Sequence, residues 1–277
     1  MHPSRGLIQG EIQRQPDQKD SEVMETLREE TQNLIHEIRN ELSKKEAMKE
    51  IATYYFDGKG KCFRPLITLL MSKTINNHLE LDQQVLASQR EIAKIAEMVH
   101  ASSLLHDDVI DGSDIRRGKP TVHSLYSHKR AVIAGDFVLS VAAAMAARLR
   151  DEKILILLSQ VLVDLVQGEF MQLGSKEKEN ERFNHYLKKS FNKTASLISF
   201  SCKAFPELNS MIMRRFQEPD DVSKALDYVI KSDGLEQTKF LALKHCQEAM
   251  RQISFLKPCP EQRGLILLTN DVVNRLK

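Results

Sequence analysis

Little in this sequence would staple or stiffen a small fold. The four cysteines, Cys62, Cys202, Cys246 and Cys259, are scattered, with no CxxC pair and no histidine at zinc-type spacing. That argues against a disulfide framework and a structural zinc site, and it suits a reducing compartment. Proline and glycine are scarce, at 8 and 11 of 277 residues. No proline falls between Pro65 and Pro120 or between Pro120 and Pro206, so two long stretches are open to helix. An excess of either charge is missing as well: 40 basic against 38 acidic residues leave +2, which speaks against a general nucleic-acid or membrane-surface binder. The most apolar stretch, residues 131–149, is broken by Asp136 and flanked by charge, so it reads as a buried helix and not as a transmembrane segment. The first twenty residues mix Arg5 and Arg14 with Glu11, Asp17, Lys19 and Asp20, without the pattern of a transit peptide. Residues 1–20 are expected to be a disordered arm.

What the chain does have is helical periodicity and 42% hydrophobic residues, enough for a sizeable core. From Ser21, a capping residue, Met24, Leu27, Leu34, Ile35, Ile38 and Leu42 make one buried stripe. Met48, Ile51, Ala52 and Tyr55 belong to a second helix, residues from about 83 to 111 to a central one, and residues 121–205 to others, including 137–149 and 154–173. The expected fold class is all-α, with a single helical domain over residues 21–277.

Chemistry concentrates between His100 and His123, HASSLLHDDVIDGSDIRRGKPTVH. Asp107 and Asp111 are four apart, so on a helix their carboxylates stand one turn above each other, about 6 Å along the axis, while Asp108 points away. Gly112, Gly118 and Pro120 stop the helix just afterwards, placing these anions where the macrodipole is already negative. A hard divalent cation relieves that, and magnesium binds through one or two carboxylates plus substrate phosphates. Arg116, Arg117 and Lys119 supply cations for phosphate next door. The same helix face runs back through Ser103, His100, Val99 and Ala96, and Ser102 and Ser103 would let a long tail pass. A solvated helix end and tight packing on small residues are the bland readings of these two features. Residues 57–65, DGKGKCFRP, combine a glycine loop, cations and a helix N-terminus, which suits an anion or an ordinary connection. Gln167 and Glu169 read as a solvated edge, and Lys193 in LKKSFNK as a solvated basic face.

HDDVID followed by RRGKPTVH resembles the first aspartate-rich motif of the trans-prenyl diphosphate (polyprenyl) synthases, in particular the long-chain decaprenyl and solanesyl type of ubiquinone biosynthesis. The resemblance implies an isoprenoid-synthase-type helical bundle and a Mg2+-dependent trans-prenyltransferase that condenses an allylic diphosphate with isopentenyl diphosphate. It implies Asp107, Asp108 and Asp111 as catalytic carboxylates, with Asp107 and Asp111 on the metal. Lys61, Arg64, His100 and Arg117 would bind isopentenyl diphosphate. Arg116, Lys193 and Thr194, the last two as the family's KT dipeptide, would bind the allylic diphosphate, and Ser102, Ser103 and Val99 would line the chain-length pocket. A mitochondrial location and a hetero-oligomer with a second synthase subunit, or a homodimer, follow from the same likeness, with no nucleic acid as partner.

The likeness breaks after Ala204. The family's second aspartate-rich motif is not found, and Phe205-Pro206-Glu207-Leu208-Asn209 resembles a later, C-terminal part. Asp220-Asp221 has Lys224 where a DDxxD needs its third carboxylate, and after Pro219 it reads as a helix start. An internal deletion near residues 204/205 is therefore expected, leaving the bundle incomplete. The alternative function is a catalytically impaired, truncated form acting as a non-catalytic oligomer partner.

Overall fold

The structure, a computed structural model, describes residues 18–44, 48–58, 62–81, 84–173, 187–203 and 234–274. They are helical apart from one two-stranded hairpin. In order they form α1 (Gln18–Leu42), α2 (Lys49–Ala52), α3 (Phe63–His78), α4 (Ala87–Ile110), β1 (Ile115–Arg116), β2 (Lys119–Pro120), α5 (Val122–Leu125), α6 (His128–Arg148), α7 (Glu152–Leu173), a π-helical turn (Phe191–Ala195), α8 (Ser196–Lys203), α9 (Gly234–Ile253) and α10 (Pro260–Asn274). Helix α1 begins at Gln18, three residues inside the expected arm, because nothing in Gln18–Asp20 breaks a helix and an acid suits its first turn. Residues 1–17, Lys59 to Lys61 and the Asp220-Asp221 pair lie outside the described residues.

The chain divides into two compact units, where the sequence suggested one domain: Met1–Arg28, Leu69–Val85 and Phe205–Lys277 in the first, Glu29–Thr68 and Leu86–Ala204 in the second. One boundary coincides with the point where the family likeness breaks. In the first unit α9 packs on α10. A Cβ on Gly264 would stand 2.8 Å from Leu70 Cδ2 and 3.1 Å from Met24 Sδ, so glycine sets that approach. The buried Gln262 amide donates to the carbonyls of Ile253 and Leu256, both at 2.9 Å, and so ties down the chain between the two helices.

The second unit is organised by α4, whose buried residues (Ile92, Ile95, Ala96, Met98, Val99 and Leu105 among them) lie nearly all round it, the mark of a central helix. Its main neighbour is α6, which turns Ala131, Ala134, Val138, Ala142 and Met145 inward at helical spacing. Small residues let the axes come close. Ser102 Oγ donates to Gly135 O at 2.9 Å, and a Cβ on Gly135 would meet His106 Nε2 at 2.3 Å. Truncating a fully buried leucine such as Leu105 would cost about 2–5 kcal/mol. By length and composition α6 and residues 152–172 of α7 could each cross a membrane. In α6 the apolar residues are largely used for packing, whereas α7 leaves Ile156, Val163 and Phe170, seven residues apart, more than half exposed.

Candidate active site

The site begins with the way α4 stops. Gly112 adopts φ +61°, Ser113 N–H donates to Asp108 O at 3.0 Å and Asp111 N–H to Asp107 O at 2.8 Å. This is a Schellman closure on glycine. It fixes Asp107, Asp108 and Asp111 at the helix end, as the spacing predicted, and their surroundings then separate them.

Asp108 is 1% exposed and fully engaged: Arg116 Nε donates to Oδ1 at 2.5 Å, and the Tyr55 hydroxyl donates to Oδ2. Burial first, and then that bond, push the Tyr55 phenol well above its ordinary range. Arg116 is brought back over α4 by the hairpin. Arg117 (φ +53°) and Gly118 (φ +75°) both take the positive φ that a two-residue turn of the I′ kind requires. The expected catalytic role of Asp108 and the expected diphosphate role of Arg116 thus meet an ion pair between the two. Lys119 is occupied too: Nζ donates to Asp57 Oδ2 and to Tyr54 O, both at 2.8 Å, and lies 4.0 Å over the Tyr54 ring.

Asp107 and Asp111 face another way, toward α7 and the π-helical turn. Lys193 Nζ lies 3.6 Å from Asp107 Oδ2 and 2.7 Å from Glu169 Oε1, and donates to Gln172 Oε1 at 3.0 Å. Gln172 Nε2 in turn donates to Asp111 Oδ1 at 3.3 Å. Two local features bring Lys193 here. Gly168 lets its backbone approach α7, since a Cβ there would stand 2.9 Å from Lys193 N. The π-helical turn is held by buried Asn192, whose amide donates to Gln167 Oε1 at 3.3 Å, and by Ser196 Oγ, which donates to Asp164 Oδ2 at 2.5 Å. Thr194 is exposed on the same turn. Burial and then the neighbouring Glu169 charge raise the Asp107 carboxyl to about 6. Burial works against the Lys193 charge, but its bond to Glu169 and the nearby acids prevail and hold its pKa above the ordinary value.

Behind these polar groups opens a pocket with about 580 Å3 of empty space, lined by Val99, Ser102, Ser103, Leu139, Leu162 and Leu165, with Asp107, Glu169 and Lys193 also on its wall. The three residues expected to set chain length all line it. Ser102 is buried and bound to α6, while Ser103 is half-buried and donates to His100 O at 2.9 Å. An apolar cleft with charge concentrated at one end suits an amphiphile whose polar group is an anion.

A second polar cluster lies earlier on α4. Arg64 stands in the first turn of α3, Arg117 in the hairpin turn, His100 and Glu97 on α4. Arg64 Nε is buried with no hydrogen-bond partner. Burial, opposed by Glu97, holds Arg64 below its ordinary value, yet an arginine stays charged. Burial first, then Arg64 and Arg117, lower His100 to about 3, so its imidazole is neutral and can offer N–H without charge. Burial raises Glu97 to about 7 against the pull of both arginines. Of the four residues expected at this position, Arg64, His100 and Arg117 share one electrostatic environment; Lys61 lies outside the described residues.

Sequence reasoning missed Glu169, Gln172 and Glu97. A signal existed for the first two: Leu162, Leu165, Glu169 and Gln172 follow one helical stripe, so polar residues continue an apolar face where solvent-exposed ones would break it. Gln167, by contrast, is exposed as read.

The donor set fits a hard divalent cation. It is oxygen-only, and beside Asp107 the Glu169 carboxyl has Oε2 buried with no hydrogen-bond partner. Among the described residues no group of three or more His, Cys, Asp or Glu is arranged as a closed cage. Two carboxylates with the remaining positions left to water and phosphate is the arrangement magnesium prefers.

Residues 45–230 match the family described as polyprenyl synthetase. The chain belongs to the polyprenyl synthetase family. It is 43% identical over 310 residues to the human all trans-polyprenyl-diphosphate synthase PDSS1, with 88% of this chain and 75% of the relative covered. The decaprenyl-diphosphate synthase subunit 1 of Schizosaccharomyces pombe is 30% identical over 347 residues, covering 88% and 92%. A decaprenyl diphosphate synthase structure from Rhodobacter capsulatus superposes with a TM-score of 0.74 at 19% identity, covering 92% of this chain and 99% of that one, so the all-α synthase fold is shared. A Caulobacter crescentus polyprenyl synthase complexed with calcium and isoprenyl diphosphate gives 0.69 at 20%, covering 93% and 97%. Enzymes of this polyprenyl synthetase family depend on metal. The human match uses 88% of 277 residues, about 244, so about 66 of its 310 positions have no counterpart in this polyprenyl synthetase.

Proposed function

We propose that this chain is a subunit of a long-chain all-trans-polyprenyl diphosphate synthase, of the decaprenyl or solanesyl type that serves ubiquinone biosynthesis, acting on an allylic diphosphate and isopentenyl diphosphate. The observation that carries the reading is one helix, α4, with a carboxylate–lysine cluster against an apolar pocket and a separate arginine–histidine cluster two turns earlier. Asp107 and Asp111 would hold Mg2+, which when bound neutralises charge on a departing diphosphate. Lys193 and Thr194 would hold the allylic diphosphate, and the pocket past Ser103 and Val99 its tail. Arg64, neutral His100 and Arg117, joined by Lys61, would hold isopentenyl diphosphate. With Arg116 on Asp108, the ion pair would fix the last turn of α4 and so orient Asp107 and Asp111. The relatives of Yarrowia lipolytica and Oryza sativa are named mitochondrial, and we place this chain there with them. Its partner would be a second synthase subunit, or another copy, and the exposed stripe of Ile156, Val163 and Phe170 is the apolar face such a partner would cover.

A second reading, a non-catalytic or impaired partner, is favoured by the 66 or so positions without a counterpart. If the missing block follows Ala204 and carries the second aspartate-rich motif, nothing grips the far side of the leaving diphosphate. Losing one preorganised electrostatic contact costs about 3–4 kcal/mol at a transition state, and losing several costs more. Radiolabelled isopentenyl incorporation, by the 277-residue chain and by a chain with the block restored, each with and without the second subunit, separates the two. Turnover only after restoration supports the impaired form of the family function; full turnover by the short chain supports the synthase outright. No turnover by the restored chain with its partner, under any metal condition, would remove both.

A further inference from the structure

A diphosphate site has no evident use for an acid, yet Glu97 stands inside one. It lies on α4 one turn before His100, on the face that meets the N-terminus of α3 and the hairpin turn. The charged groups around it are Arg64 from α3, Arg117 from the hairpin and the buried Cys62 thiol just before α3, which Glu97 itself pushes up after burial. On its own helix the neighbours are neutral His100 and Lys94, and Lys94 is committed to Glu37 at 3.2 Å and Glu91 at 2.5 Å. Arg64 keeps a buried Nε without a hydrogen-bond partner, and Arg117 is held at φ +53°, so both guanidiniums are fixed before any ligand arrives. Two fixed cations in a half-buried site repel each other, and a carboxylate between them offsets that repulsion when the site is empty.

We propose that Glu97 is the resident counter-anion of this cradle, and that it becomes neutral by taking a proton from solvent when a diphosphate enters. The inference rests on the isopentenyl diphosphate reading of Arg64, His100 and Arg117. The balance is one H+ from water onto the Glu97 carboxylate for each site filled, with no bond to the ligand formed or broken. Physically, an incoming anion replaces Glu97 as partner of the arginines and opposes its charge, and both effects favour the acid form. Glu97 is already near half-protonated at neutral pH, so the proton is taken up in the range where the protein works. The consequence is a diphosphate affinity that weakens as pH rises.

The test is calorimetric titration of isopentenyl diphosphate in EDTA, at pH 6 and pH 8, each in two buffers of different ionisation enthalpy, for wild type, Glu97→Gln, Glu97→Asp and Arg64→Ala. If the ligand raises Glu97 by about 2, as a close charge does, wild type takes up ~0.8 proton more than Glu97→Gln at pH 8. On the same arithmetic Glu97→Gln binds about tenfold tighter than wild type at pH 8 and nearly equally at pH 6, while Glu97→Asp keeps the uptake. Comparing variants cancels protons taken by the ligand itself. Equal proton uptake in wild type and Glu97→Gln, with Arg64→Ala still weakened, overturns the proposal and leaves the cradle standing. Absent binding in wild type, or binding indifferent to Arg64→Ala, removes the cradle and the proposal with it. Should Glu97→Gln not fold, the infrared difference spectrum of wild type decides: a carboxylic acid band gained on binding supports the proposal, and its absence overturns it.

Discussion

At the end of α4, Asp107, Asp111 and Glu169 gather around a single cation, Lys193; two turns earlier Glu97 is the single acid beside Arg64 and Arg117. The two clusters suit the same ligand class with opposite electrostatics. The acidic one can hold a diphosphate only through an intervening cation, because its own groups repel phosphate. The basic one needs no metal, and its difficulty is the reverse, how to keep two buried guanidiniums stable when nothing is bound. In each cluster one residue of the minority sign resolves the empty state, and in each that residue was illegible from sequence or read as bland. The difference explains how one helix could present two diphosphates to each other without exchanging their sites.

The largest expected effect comes from removing one side of the comparison. Asp107→Ala with Asp111→Ala should weaken Mg2+-dependent binding of farnesyl diphosphate by a hundredfold or more, two lost charge-assisted contacts at about 1.5–3 kcal/mol each, and leave isopentenyl diphosphate binding within about twofold. Calorimetry reads both. Equal losses for the two ligands would mean the clusters are one site.

Arg64→Ala is the converse, expected to weaken isopentenyl diphosphate by about ten- to a hundredfold in EDTA while farnesyl diphosphate with Mg2+ is unaffected. An effect on farnesyl diphosphate alone would reverse the assignment.

Smaller, and confined to the acidic side, is the pocket. Ser103→Phe should weaken a long allylic diphosphate such as geranylgeranyl by about tenfold and spare the dimethylallyl one, since a ring at Ser103 occupies space lined by Val99 and Leu139. Ser103 is the better position because Ser102 is buried against α6, where a ring would disturb the fold. Equal weakening of long and short ligands would place the tail elsewhere.

The smallest effect sharpens the electrostatic contrast in the empty protein. Glu97 at about 7 and Asp107 at about 6 lie above their ordinary 4.5 and 3.8, so the stability they add at low pH is lost as pH rises through those ranges. His100, at about 3 against 6.5, adds stability above pH 6.5 that is lost as pH falls toward 3. The opposing slopes offset between about pH 4.5 and 6.5. Relative to wild type, Glu97→Gln should therefore lose stability on the acid side, and His100→Gln should lose it as pH rises toward 7, each by a few degrees in Tm by scanning calorimetry. Parallel curves for all three proteins would deny that these groups are buried together.

Much of this was legible because it is local. The apolar stripe of α1, the central helix and the stop at Gly112 follow from i, i+3 and i, i+4 spacing and from glycine's freedom at φ +61°. Asp107 and Asp111 followed from helical geometry, and Arg64, His100 and Lys193 from the family likeness. What was not legible depends on partners distant in sequence. Asp108 meets Tyr55, 53 residues away, and Arg116 across a hairpin too short to show a strand pattern. Lys193 read as a solvated base because its role needs Gly168 and a π-helical turn that no periodicity announces.

The most direct measurement of the central claim is the metal dependence of the two bindings in one preparation of the 277-residue protein. Farnesyl diphosphate and isopentenyl diphosphate are titrated separately, first in EDTA and then with Mg2+. The account predicts that farnesyl diphosphate binds only with Mg2+, while isopentenyl diphosphate binds equally in both. Binding of both ligands that rises together with Mg2+, or that ignores it together, would contradict the division of α4 into a metal-mediated and a metal-free cradle.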